Sequence, residues 1–152
     1  MTIQLFRKKE TMIGCVLIIV LLSIGVIILL NYDETPVFYS YVIDHKNELG
    51  EYVNSLKTEN ETDHTEMFNG FEVRYFAGSG MAEFELKDPL PSNTHRGFYY
   101  SPNDKPLGYF DSMLYFEQDG DGWKCDQILN THITEYTERI TDHWFWFEFS
   151  LH

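Results

Sequence analysis

Two glutamates set two residues apart, in MAEFELK, form the most chemically suggestive pair in this 152-residue chain. In a strand, Glu83 and Glu85 point to the face opposite Phe84, and their carboxyl groups fall within the roughly 5–9 Å separation that glycoside hydrolysis uses. One of them would have to serve as an acid, which requires an apolar pocket to raise its pKa. On an exposed strand face, two such acids are simply solvated. The second suggestive stretch is HWFWFEFSLH, residues 143–152. Alternation puts Phe145, Phe147, Phe149 and Leu151 on one face and Trp144, Trp146 and Glu148 on the other. Either the indoles stack on a ring, a sugar or a proline-rich peptide, with Glu148 beside them, or they lie beneath a helix in a strand covered on both sides. Exposed aromatic patches are costly in solubility, so burial is the expectation.

The remaining motifs carry less chemistry. QDGDGW places Asp119 and Asp121 like the start of a calcium loop, but the sixth and twelfth positions counted from Asp119 are Lys124 and Asn130, where a glycine and a bidentate acid are needed. A hairpin turn fits better. The six histidines, at 45, 64, 95, 132, 143 and 152, form no HExxH and no close ligand spacing. GSGMAE joins two strands, so it opens no phosphate-binding helix, and Ser79 lacks a nucleophile-elbow context. Asn60-Glu61-Thr62 is a formal glycosylation acceptor. No motif calls for a cofactor or a metal, and the reading is non-enzymatic.

The elements that must position these residues begin after a long apolar run. From Thr11 to Tyr32 there is no charged residue and no histidine. The stretch MIGCVLIIVLLSIGVIILL, as a helix, rises roughly 28 Å, close to the hydrocarbon thickness of a bilayer. Residues 11–32 are therefore expected to be a single-pass, uncleaved signal anchor in contact with the lipid bilayer. Arg7, Lys8 and Lys9 precede the run and Asp33 and Glu34 follow it, so the basic tail 1–10 should be cytoplasmic and residues 33–152 outside, at the cell membrane. Thr35-Pro36 then suits a helix start. Phe38, Tyr41, Val42, His45, Leu49, Tyr52, Val53 and Leu56 recur at helical spacing, predicting an amphipathic helix over about 36–58. Residues 59–66 read as a polar linker. Antiparallel strands are expected over about 67–151, with tight turns at Asn69-Gly70 and DGDG. Residues 130–142 receive no assignment, because Ile133, Tyr136 and Ile140 suit a helix while the threonines suit a strand. The fold class is α+β: a membrane helix, then one amphipathic helix on an antiparallel sheet of about five to seven strands.

Residues 32–152 hold 8 Lys and Arg against 23 Asp and Glu, a formal charge of −15. Such a surface repels nucleic acid and anionic lipid headgroups and favours cationic partners. Cys125 is the single cysteine beyond the apolar run, so no disulfide can form within that region. The layout of an apolar helix, a second helix and an antiparallel sheet is similar to type IV pilins and pseudopilins. Their processing signature has a glycine directly before the apolar run and a glutamate five residues into it; here Glu10 precedes the run and Gly14 is followed by Cys15. Three functions follow as expectations. The first is a non-catalytic extracytoplasmic interaction domain, acidic and membrane-anchored, binding a protein, peptide or glycan at the cell envelope. The second is a pilin-like assembly subunit, and the third a small surface hydrolase using Glu83 and Glu85.

Overall fold

The structure is a computed structural model and describes residues 35–59, 62–86, 93–128 and 130–152. The expected anchor at 11–32, the basic tail and Asn60 lie outside the described residues. Among the described residues, no helix is long and apolar enough to cross a membrane.

Helix α1 spans Thr35–Glu59. Its apolar spacing works as amphipathic logic requires: Phe38, Val42, Leu49, Val53 and Leu56 are all buried in one cluster. Against it packs one antiparallel sheet of eight strands: β1 (His64–Phe68), β2 (Phe71–Phe76), β3 (Met81–Leu86), β4 (Thr94–Tyr100), β5 (Glu117–Asp119), β6 (Gly122–Ile128), β7 (His132–Thr141) and β8 (Trp144–Leu151). Their spatial order is β1-β2-β3-β4-β8-β7-β6-β5. The first four strands and the last four are each a run of neighbours, and the β4–β8 pairing joins them.

The turns follow from local chemistry. Asn69 and Gly70 take φ of 48° and 89°, the double positive φ that a two-residue hairpin needs, and they close β1 onto β2 at the Phe68–Phe71 pair. Gly120 (φ 61°) and Asp121 close β5 onto β6 at the Asp119–Gly122 pair, so QDGDGW is a hairpin.

Three expectations are corrected. The sheet has eight strands rather than five to seven, chiefly because residues 132–141, left unassigned, form β7. Strand β1 begins at His64, inside the stretch read as a linker, where Glu66 accepts a hydrogen bond from the Tyr52 hydroxyl on α1. DSMLYFE contributes only its last residue to β5; a 3₁₀ turn at Tyr109–Asp111 and irregular backbone occupy the preceding stretch.

Strand β8 sits near the middle of the sheet and is covered on both faces. Trp144 and Trp146 lie in the α1 cluster with Phe84 and Phe98, whereas Phe145, Phe147 and Phe149 join Met81, Tyr99 and Tyr109 in a second cluster on the far face. Leu151, expected to extend that second face, is partly exposed.

Candidate functional site

Cross-strand register assembles the site. With β2 and β3 joined by a short turn, Arg74 falls opposite Glu83 and Glu72 opposite Glu85, all on the face away from α1. Arg74 is the hub. Its Nε donates to Glu83 Oε1 at 3.0 Å, Nη1 to Glu72 Oε1 at 3.1 Å, and Nη2 to Glu85 Oε2 and to the Tyr109 hydroxyl. The Tyr109 hydroxyl in turn donates to Glu85 Oε2 at 3.1 Å, and His95 Nδ1 lies 2.5 Å from Glu85 Oε1. The guanidinium also stacks over the Phe110 ring, 4.2 Å from its centroid.

Glu83 and Glu85 are therefore not on an exposed strand face. The aromatic side of β8 needs a cover, and the segment from Ser101 to Phe116 supplies it. Asp104 accepts the His143 N–H at 2.7 Å and a bond from Arg139, and the Tyr99 hydroxyl accepts the Leu107 N–H at 3.1 Å, which ties the segment down. Glu83 is fully buried beneath it and Glu135, from β7, is 1% exposed.

What these two acids hold is backbone. Tyr109 N–H lies 3.1 Å from both Glu135 oxygens, and Phe110 N–H donates to Glu83 Oε2 at 3.0 Å. Two consecutive amides are thus aimed inward by a kink in which Phe110 and Asp111 both take positive φ, 58° and 53°. Positive φ at a bulky aromatic is strained and persists only where the surroundings over-determine it; here two buried carboxyl groups do so.

The electrostatics follow from burial. Desolvation pushes Glu135 up to about 8, against the Tyr109 N–H and with help from the nearby charge of Glu83. Desolvation also raises Glu83, opposed by the Arg74 guanidinium and the Phe110 N–H. His95 is lowered, first by burial and then by Arg74. At neutral pH, Glu135 is mostly protonated. Among the described residues, no group of three His, Cys, Asp or Glu side chains is placed to hold a metal ion.

Trp144 and Trp146 are 2% and 7% exposed beneath α1, so neither offers a ring face to a ligand. Glu148, next along the same face of β8, is half-exposed and bonded to Arg96 at 2.6 Å. The structure brings Glu83 and Glu85 together with Arg74, His95, Tyr109 and Glu135, which no motif in the sequence links to them. Arg74 was within reach, because a β2–β3 turn closing Phe76 onto Met81 sets Arg74 opposite Glu83.

The turn that the cluster fixes projects side chains outward. Phe110 is half-exposed, Met113 fully exposed and Tyr115 84% exposed. No family model matches this chain, and no curated protein or solved structure matches it either.

Proposed function

We propose that this chain is a non-catalytic interaction module, held at the cell membrane by residues 11–32 with its acidic domain outside, and that the segment 110–115 is its recognition element. One observation carries the reading. The buried carboxyl groups of Glu83 and Glu135 direct their oxygens to the backbone amides of Phe110 and Tyr109, so the cluster fixes the shape of a loop that presents Phe110, Met113 and Tyr115 to solvent. A loop whose backbone is already held in one shape loses less conformational entropy when a partner covers it. Carboxylate hydrolysis has less support, because Glu83 has no contact with solvent and is bonded to Arg74.

The test uses intact cells. A photo-crosslinking amino acid at Met113 should yield a discrete adduct formed outside the membrane, and the adduct should vanish when Phe110→Ser removes the neighbouring ring. The same crosslinker at Asp44, on the exposed side of α1, should not yield it. Equal adducts from both positions would refute the recognition role of the segment. A thiol at Thr62→Cys should react with a membrane-impermeant maleimide before lysis; reaction only after lysis would refute the outward orientation.

A further inference from the structure

On the α1 side, the sheet is only partly covered. The helix packs on β4, β7 and β8, and its aromatic rings reach Phe68 of β1, Phe71 of β2 and Phe84 of β3, whereas Glu117, Asp119, Lys124 and Asp126 on the same face of β5 and β6 are exposed. Among the described residues, strand β5 is the last in the sheet and has a single strand neighbour, β6, and all three of its residues are exposed. Beside it lies an open groove of about 400 Å³ lined by Tyr115, Glu117, Gln118, Asp119, Lys124, Asp126 and Gln127. The register puts Glu117 opposite Lys124 and Asp119 opposite Gly122, so the two acids project to one face, two residues apart. That spacing is roughly 7 Å along the strand.

Resting on the proposed interaction role, we infer that this edge and groove bind an extended cationic segment of a partner protein, with Lys or Arg at every second residue, added as a ninth strand along β5. Three features choose this occupant. An unpaired sheet edge offers backbone donors and acceptors to an extended chain, and alternate side chains then meet the groove. A bound strand carries its side chains at the same two-residue period as Glu117 and Asp119, so alternate cations face successive acids. Tyr115 presents an exposed ring, suited to stack under a guanidinium or ammonium group.

The local cation does not neutralise the groove. Lys124 Nζ lies 3.9 Å from Asp126, and His132 Nε2 lies 2.8 Å from the other oxygen of the same carboxylate. The hydrogen bond from His132 holds the Asp126 carboxyl below the usual carboxylate range. Glu117 and Asp119 remain to face a ligand. Charge also argues against a second copy of this chain, since two copies meeting at β5 would oppose acid to acid within domains of formal charge −15.

The experiment uses the full chain in a mild non-ionic detergent and capped, fluorescein-labelled decapeptides, read by anisotropy. A peptide alternating Arg and Thr should bind saturably, and its Kd should rise at least tenfold in Glu117→Gln/Asp119→Asn and in Tyr115→Ser. The charge-matched variant Asp44→Asn/Glu51→Gln, on the exposed side of α1, should leave Kd unchanged. N-methylation of alternate residues of the peptide should abolish binding if its backbone pairs with β5. Equal weakening by the α1 variant would overturn the site in favour of diffuse charge attraction, and tight binding by the N-methylated peptide would overturn strand addition. No binding by the Arg-Thr peptide, with the Met113 crosslink in cells intact, would overturn this inference and leave the interaction role standing. Loss of both would overturn the two together. Chain-to-chain crosslinks through Gln118 would assign the edge to a second copy instead.

Discussion

The protonated Glu135 makes a pH-dependent demand on the fold that a single substitution removes. In the unfolded chain this group ionises near 4.5, and in the folded protein near 8. Between those values the folded state holds one more proton than the unfolded state, so stability falls as pH rises. The contribution is fully present below about 4.5 and lost above about 8. The interval spans three and a half pH units. At about 1.4 kcal/mol per unit, ionising Glu135 in place costs on the order of 4–5 kcal/mol, a large share of the stability of an ordinary domain. Glu135→Gln keeps a carbonyl oxygen for the Tyr109 N–H and has no proton to lose. Urea denaturation of the full chain in detergent, followed by far-ultraviolet circular dichroism at half-unit steps from pH 4.5 to 9, should give nearly equal stabilities at the acid end. The variant should then gain progressively, leading by several kcal/mol at pH 8.5. Because the charge of Glu83 helps to raise Glu135, Glu83→Gln should move the upper end of that window to lower pH. Parallel curves for wild type and Glu135→Gln across the whole range would refute the assignment of a buried neutral acid.

Other substitutions address the rest of the architecture. Arg74→Met leaves Glu83 buried without its guanidinium and should cost about 3–5 kcal/mol, part of it recovered by adding Glu83→Gln; thermal melts of the single and double variants decide this. Trp146→Ala should cost about 3–5 kcal/mol, because it empties a packed site under α1. With Trp123 and Trp144 replaced by Phe, Trp146 emission should be blue-shifted and poorly quenched by iodide. Leu49→Asp buries a charge in the helix–sheet core and should abolish cooperative unfolding, whereas Glu51→Ala, on the exposed side, should stay within about 0.5 kcal/mol of wild type in the same denaturation assay.

The parts of the fold that were legible in the sequence are those in which one element carries its own periodic signal. Phe38 to Leu56 repeats at helical spacing, and Phe71, Val73 and Tyr75 alternate cleanly as one buried face of β2. Strand β7 was not legible, because Glu135, Thr137 and Arg139 share one of its faces and Thr134, Tyr136 and Glu138 the other. Neither face is apolar enough to declare itself, and it is the aromatic strand β8 beside it that brings β7 into the core. The site failed for a related reason. Glu83 and Glu85 stood out as a pair, but their burial depends on Tyr109 and Phe110, which arrive from a loop more than twenty residues later with no local pattern to announce them. On an isolated hairpin Glu83 and Glu85 would be solvated; the segment that roofs the outer face of β3 buries the first and covers most of the second.

The strand order has a consequence for biosynthesis. Seven strands are made before the one that unites them: β1 to β4 can pair in sequence, and so can β5 to β7, yet the two groups share no strand pairing until β8 slots between β4 and β7. While the chain is still emerging, Phe98 and Tyr99 on β4 lack the strand that will flank them, and a waiting aromatic edge is an invitation to mispair with a neighbouring nascent chain. Residues 144–151 therefore act as a closing piece. Truncation before Trp144 should divide one sheet into two separate half-sheets instead of shortening it by a strand, and a nascent chain stalled before that point should be a substrate for whatever chaperones meet it.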